Sequence, residues 1–440
     1  MAKEKQITKP KEIGLWISTS LVIGNMVGAG VFLLPAALAA YGGISLVGWL
    51  FSSLGAIVLA LVFGRLSKMF PKKDGGPYAY SKLGFGSFVG FLVAWGYWIS
   101  IWIANAAIAI AFVGALSVFF PVLGTNPVAA VSAGLGAIWF LTWVNSRGIR
   151  ETGIVQLITT VLKLLPLLII ILGGFFFFNP EHFFPFNTSG ENDFRAIALT
   201  ATLTFYAYVG FESATIPAGN IKNPEKTIPR ATLLGTGLTM LFYILSTVVV
   251  MGMIPMETLA ASPAPFADAM EIMSGKWGKY FVAGGVAVAA FGALNGWILV
   301  QGQIARATAI DHLFPLIFKK ENKKGAPIYG IIIGSLLSSG LMLMNFSDGL
   351  VEQFRFMIQL STLCCLVPYL FSTAAYVLLA LKKATKGKNP IFIHLLGGLA
   401  FLFSFWAIFG AGEAVVFSGF LMLMAGVPIY VWLKISSEKP

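Results

Sequence analysis

Long apolar runs separated by short polar stretches cover almost the whole chain. Twelve stand out, at 14–38, 44–66, 86–120, 127–145, 154–178, 196–219, 232–253, 279–303, 326–345, 352–381, 390–410 and 413–433. An α-helix needs about 20 residues to cross the hydrocarbon of a bilayer, and every run approaches or exceeds that length. The runs are continuous in apolar character and do not alternate, which argues against the period-two pattern of a membrane β-barrel. The predicted fold is an all-α membrane protein with twelve transmembrane helices. The connections Asn179–Arg195 and Pro255–Gly278 are the longest on one side and are too short to hold a core of their own. Residues 1–13 and 434–440 read as polar tails, 14–381 as a core of ten helices and 390–433 as a final pair.

Two runs are interrupted. The first, LVIGNMVGAGVFLLP (Leu21–Pro35), carries Gly24, Asn25, Gly28 and Gly30 where a spanning helix should be most regular. The sixth, ALTATLTFYAYVGFESATIPAGN, carries Gly210, Glu212, Ser213 and Pro217. The sixth span follows the first by an odd number of crossings, so the two run in opposite directions. Paired interruptions at matching positions predict two inverted five-helix repeats, about 14–178 and 196–381, with helices 11 and 12 appended. A helix broken at mid-membrane leaves N–H groups unpaired at one new end and carbonyls at the other. In hydrocarbon such groups are costly, so a break survives only around a ligand or a wet cavity. The N–H end suits a carboxylate and the carbonyl end an ammonium. Two breaks side by side therefore predict a receptor for the zwitterionic head of an amino acid, with Gly28 and Gly30 leaving room for close approach. The competing explanation is plain helix packing through the small-xxx-small pair Gly24 and Gly28; Asn25 and the polar sixth span weigh against it.

Composition agrees with a membrane protein, at 57% hydrophobic and 11% charged residues. The net charge of +12 raises the question of a nucleic-acid partner. Its placement answers it. With the N-terminus cytoplasmic, inner segments hold 25 of the 30 Lys and Arg, outer segments hold Arg195, Lys276, Lys279 and Arg355, and Lys163 falls within a span. That is the positive-inside pattern, with both termini cytoplasmic in a cell (inner) membrane. The Lys-rich start, MAKEKQITKPKE, is not followed by a small-residue cleavage site, so no removable signal peptide is expected.

The stretches GNMVGAGVFLLPAALAAYGG, DGGPYAY, YVGFESATIPAGNIKNPEKTIPRA, VMGMIP, HLFP and LVPYLFSTAAYVLL, spread over about residues 13 to 380, resemble the amino acid–polyamine–organocation superfamily. Within it the chain looks most like the bacterial basic amino acid/polyamine antiporters of the arginine/agmatine exchanger type. The resemblance implies a LeuT-type fold and alternating access. It implies that Asn25, Met26, Gly28, Ala29 and Gly30 hold the substrate head. It places Tyr206 where the exchanger has a tryptophan that closes over the substrate, and gives Val209 an apolar contact. Ser100 and Asn105 in span 3 match positions facing the substrate side chain, Trp297 matches the aromatic floor, and Ser361 a small polar contact. Tyr97, Glu212 and Tyr369 match a hydrogen-bonded inner gate. A homodimer, with helices 11 and 12 as contacts, is implied in the same way. Two positions depart from the exchanger: Tyr206 replaces the tryptophan and Ile101 a cysteine. Lys163, in TVLKLLPLL, resembles a different branch, where an ammonium stands in for sodium.

Only Lys163 and Glu212 lie deep within spans, and buried charges of that kind need partners or water. Glu212 reads as a proton-uptake or gating carboxylate, or as an anchor for the broken span. Lys163 reads as a built-in cation bonding the freed carbonyls of span 1 and a hydroxyl of span 8, or as a permanent strut. Trp297, beside Asn295 and Gly296, reads as a cavity wall with a face for a cation or alkyl chain. Cys364 and Cys365 are adjacent in mid-span and read as core packing. His182, His312 and His394 are too scattered for a metal site, no phosphate-binding loop occurs, and no cofactor or catalytic constellation is expected. A channel would favour rings from symmetric subunits. The function predicted is secondary active amino acid transport, by exchange of cationic amino acids and their amine products. The alternative is proton symport through Lys163 with neutral or broad specificity.

Overall fold

The computed structural model describes residues 12–344, 350–382 and 390–437; of the tails expected at 1–13 and 434–440, residues 1–11 and 438–440 lie outside the described residues. The helices are α1 (Leu15–Met26), α2 (Leu34–Ala39), α3 (Ser45–Met69), α4 (Pro77–Phe85), α5 (Ser87–Leu116), α6 (Pro127–Ser146), α7 (Ile149–Gly174), α8 (Asp193–Phe205) and α9 (Pro224–Met253). They continue with α10 (Pro265–Ser274), α11 (Lys276–Ile310), α12 (Ile328–Met344), α13 (Leu350–Lys382), α14 (Pro390–Gly410), α15 (Glu413–Met424) and α16 (Gly426–Ser437). Short helical turns lie between some of them, and a 3-10 turn, Ala29–Leu33, separates α1 from α2. Among the described residues the one pairing of extended chain is a parallel bridge between Ile13 and Ile221.

Among the described residues ten helices are long and apolar enough to cross a membrane, and the pair Leu15–Met26 and Ala29–Ala39, bent by 48°, makes an eleventh. The run expected at 326–345 is α12, a shorter apolar helix of 17 residues. Length and composition therefore account for eleven of the twelve expected spans. Helices α7 and α9 begin before the runs expected at 154 and 232, at Ile149 and Pro224. Apolar character marks only the part of a helix that meets lipid, and polar turns can extend it into water.

The centre of the bundle is made by α5, α11 and α13. Most of α11 is enclosed (78% buried), whereas the last span, Glu413–Ile435, is 17% buried. Helix α1 lies inside this frame, with every residue from Ser18 to Met26 buried. The chain ahead of it is pinned: Ile13 N–H donates to Asn220 O at 2.9 Å, and Lys222 N–H to Ile13 O at 3.0 Å. The start of span 1 is thereby tied to the end of span 6.

Candidate functional site

Helix α1 stops at Met26, in the middle of its span. Gly28 is extended (φ −103°, ψ −167°), and a 3-10 turn resumes at Ala29. The carbonyl end of the break is fully occupied. Lys163 Nζ donates to Gly24 O (2.8 Å) and Val27 O (2.6 Å), and reaches Ala289 O at 3.3 Å. Trp297 Nε1 donates to Asn25 O at 3.2 Å and Tyr243 Oη to Met26 O at 2.8 Å. Two expectations change. The carbonyls of α1 are held by protein side chains and are not open to a substrate ammonium. The span-8 partner of Lys163 is a carbonyl, not a hydroxyl, because Val282–Leu294 contains no hydroxyl to offer. At the other end, Ala29 and Gly30 open a helical turn, so their N–H groups have no intrahelical acceptor. Both residues line a cavity of about 340 Å³ that opens on the face opposite the N-terminus.

Span 6 breaks differently from span 1. Helix α8 ends at Phe205, and the chain continues to Asn220 through three short 3-10 turns with no second α-helix. Gly210 takes φ +112°, and a Cβ there would lie 3.1 Å from Asn25 Cβ and 3.2 Å from Trp297 Cζ2. Glycine is therefore required twice over, for its backbone and for the approach of span 1. The two breaks meet directly: Asn25 Nδ2 donates to Ser213 Oγ at 2.8 Å. Glu212 lies beneath, accepting from Tyr97 Oη on one oxygen and from Tyr369 Oη (2.7 Å) and Gly210 N–H (3.2 Å) on the other. Tyr97, Glu212 and Tyr369 are wholly buried.

Of the expected substrate-contact residues, Ala29 and Gly30 line the cavity and the others do not. Trp297 is buried and meets Tyr97 edge-on at 6.5 Å. Tyr206 is half-buried, and Val209 and Ser361 are buried. Ser100 Oγ donates to Tyr97 O at 2.8 Å and accepts from Cys365 Sγ at 3.2 Å, so its hydroxyl is already engaged. Asn105 Nδ2 donates to Gln301 Oε1 at 2.9 Å, leaving Asn105 Oδ1 buried without a protein partner. Next to Trp297, Gly296 makes room for Asn25, whose Oδ1 would lie 1.8 Å from an added Cβ.

Unbroken apolar spans, two breaks in contact and an open cavity ending at unpaired N–H groups describe a carrier. A family model described as amino acid permease matches residues 13–436. The chain belongs to the amino acid permease family. It is similar to a cadaverine/lysine antiporter of Escherichia coli (strain K12), at 36% identity over 375 residues covering 83% of each chain. It is also similar to the putrescine transporter PotE of Haemophilus influenzae, at 34% identity over 96% of this chain and 97% of that one. PotE of Escherichia coli (strain K12) is 32% identical over 96% of both chains. Family and relatives are transporters, not enzymes.

On its N-terminal face the permease is latched. Asp311, just after α11, receives Lys82 Nζ at 2.9 Å, Lys73 Nζ at 3.6 Å and Tyr78 Oη at 2.7 Å. Asp74 receives Gly219 N–H at 2.6 Å and Arg306 Nη1 at 3.3 Å, and Arg306 also pairs with Glu321. These contacts tie the α3–α4 connection to α11 and to the end of span 6. Burial raises the Asp311 carboxyl, but hydrogen bonds from Lys82 and Tyr78 and the charges of Lys82 and Lys73 outweigh it, leaving it below the ordinary 3.8. Its contribution to closure is thus present above that value and lost only in strong acid. Asp74 runs the other way. Burial raises it above 3.8 against the pull of Gly219 N–H and Arg306. Asp311→Asn should favour opening of this face. A cysteine placed at the buried Ala307 should then react about tenfold faster with a thiol reagent supplied from that side, the equivalent of about 1.4 kcal/mol in the closed–open balance. Unchanged labelling would remove Asp311 from the latch.

Several participants carry no local signal in the sequence. Tyr243 and Gln301 sit within long apolar helices among other scattered polar side chains, and nothing next to them singles them out. Gln156 is also in this set: its Oε1 accepts from Asn295 Nδ2 at 2.8 Å, and it packs against Gly24. Asn295 and Ser213 border residues that do carry a signal, Trp297 and Glu212. Asp74 sits inside DGGPYAY, where its place next to two glycines and a proline marks a turn and says nothing of Arg306.

Proposed function

We propose that this permease is a secondary active transporter that exchanges a cationic amino acid for its amine product by alternating access. One observation carries the reading: the breaks in spans 1 and 6 touch through Asn25 and Ser213, and the turn that follows the first break, at Ala29 and Gly30, lines a cavity open on one face while the other face is latched. The names of the relatives, cadaverine/lysine antiporter and putrescine transporter, support an amino acid–amine pair. In this reading the N–H groups of Ala29 and Gly30, with Gly28 and the backbone of Asn25 and Met26, receive the carboxylate. Tyr206 and Val209 close over the substrate. Trp297, Asn105 and Ser361 contact its side chain, with Asn105 Oδ1 as an acceptor for a terminal cation. Ser100 acts by positioning Tyr97. The Lys-rich N-terminal face is cytoplasmic, residues 14–178 and 196–381 act as inverted halves, and the little-buried last span supports a homodimer contact.

A second reading, proton-coupled symport with broader specificity, is favoured by Lys163 alone. Its ammonium holds both sides of the break in span 1, so its proton and the position of that span are linked.

Equilibrium binding of labelled amino acids and amines to the purified protein tests the first reading. Lysine-like amino acids and their amines should bind and compete with each other. Trp297→Ala and Asn105→Ala should each weaken binding by about tenfold, the loss of one good contact. Binding of neutral amino acids alone, or unchanged affinity in both variants, would overturn it.

A further inference from the structure

The cavity leading to the break has one charged side chain in its walls. From Phe32 and Leu33 to Ile110, Phe266 and Val286 the lining is apolar, and at α11 it includes Lys279. No carboxylate lines it. Two further sources of positive potential point the same way. Helix α11 begins at Lys276 with no acidic residue in its first turn and no side-chain cap. The turn at Ala29 presents the unpaired N–H groups already described. The nearest acids in sequence are placed elsewhere: Asp268 accepts from Ser262 Oγ, and Glu271 lies outside the lining. Apolar walls of low dielectric focus such a field along the cavity axis.

We propose that this cavity is a carboxylate-selecting entrance, with Lys279 as a specificity-determining residue on the face opposite the N-terminus. A cationic amino acid carries one carboxylate against two positive charges and enters with that carboxylate leading, toward the N–H groups of Ala29 and Gly30. A diamine brings two positive charges and no negative one, and is opposed at every depth. Resting on the exchange reading, this biases loading at this face toward the amino acid and against the amine, while the substrate gradients set the direction of net exchange. The discrimination is electrostatic at an exposed rim and weakens with salt.

The test is initial uptake into oriented proteoliposomes, measured from each face, for an amino acid and its decarboxylated diamine. From the opposite face, Lys279→Gln should raise KM for the amino acid about threefold and lower KM for the diamine about threefold, and Lys279→Glu should do more. Raising ionic strength from about 20 to 200 mM should narrow the wild-type preference more than that of Lys279→Gln. From the N-terminal face the preference should not depend on residue 279. An unchanged preference in both variants, in protein that still transports, would overturn the proposal. If the wild type carries amino acids and no amine, the exchange reading fails, and the amino acid KM in the Lys279 variants still decides this one.

Discussion

Lys163→Ala should lose at least about tenfold in transport rate at neutral pH, and the remaining activity should no longer respond to pH. The wholly buried ammonium has three donors and meets three carbonyls, Gly24 O, Val27 O and Ala289 O. Two of these belong to the break, one on the helical side and one on the extended side. Removing the side chain leaves buried acceptors without donors at about 1–3 kcal/mol each, together with a cavity. Deprotonation is milder and reversible. A neutral amine keeps two donors and turns a lone pair toward a carbonyl, so the hold on span 1 weakens as pH rises. The Ala variant is therefore expected to melt lower and to lose pH dependence. Lys163→Met refills the volume without the donors and separates the two effects: it should regain part of the stability and none of the pH response. Transport by Lys163→Met with the wild-type pH profile would show the lysine to be a strut.

Glu212→Ala should abolish measurable transport and lower stability by several kcal/mol, while Glu212→Gln folds and transports at least about tenfold more slowly. The carboxylate is the common acceptor of Tyr97 Oη, Tyr369 Oη and Gly210 N–H, and it ties spans 3 and 10 to the unwound part of span 6. Alanine orphans all three donors inside the membrane, where no water replaces the acceptor. An amide keeps one acceptor oxygen and offers an NH₂ group to the other tyrosine, so the cluster persists with its polarity altered. A melting curve on both variants separates folding from gating. Glu212→Gln at wild-type rate would reduce the residue to an anchor.

What the sequence made legible is what departs from the apolar background. Gly28–Gly30 marks the break in span 1, and Lys163 and Glu212 stand out as the only charges deep in spans. The partners that complete these sites were hidden, because one polar atom on a buried ring looks the same as packing. Nothing local shows that Tyr243 Oη donates to Met26 O, and the neighbours that mark Trp297 as a cavity wall do not show that its Nε1 donates to Asn25 O. The assignment of the carbonyl end to a substrate ammonium failed for that reason. The hydroxyl expected opposite Lys163 failed because a backbone carbonyl is present at every residue and leaves no trace in composition. In span 6, Gly210 and Pro217 showed that the helix would break. They did not show that it would stay unwound to Asn220, since that follows from contacts with Asn25, Tyr369 and Trp297 far away in the chain.

The most direct test of the exchange mechanism is uptake of a labelled cationic amino acid into proteoliposomes that are either empty or preloaded with its unlabelled amine. Uptake should be at least about tenfold faster into preloaded vesicles, and should stay slow in empty ones when an inward proton gradient is imposed. Equal uptake into empty vesicles under that gradient would contradict exchange and establish proton symport in its place.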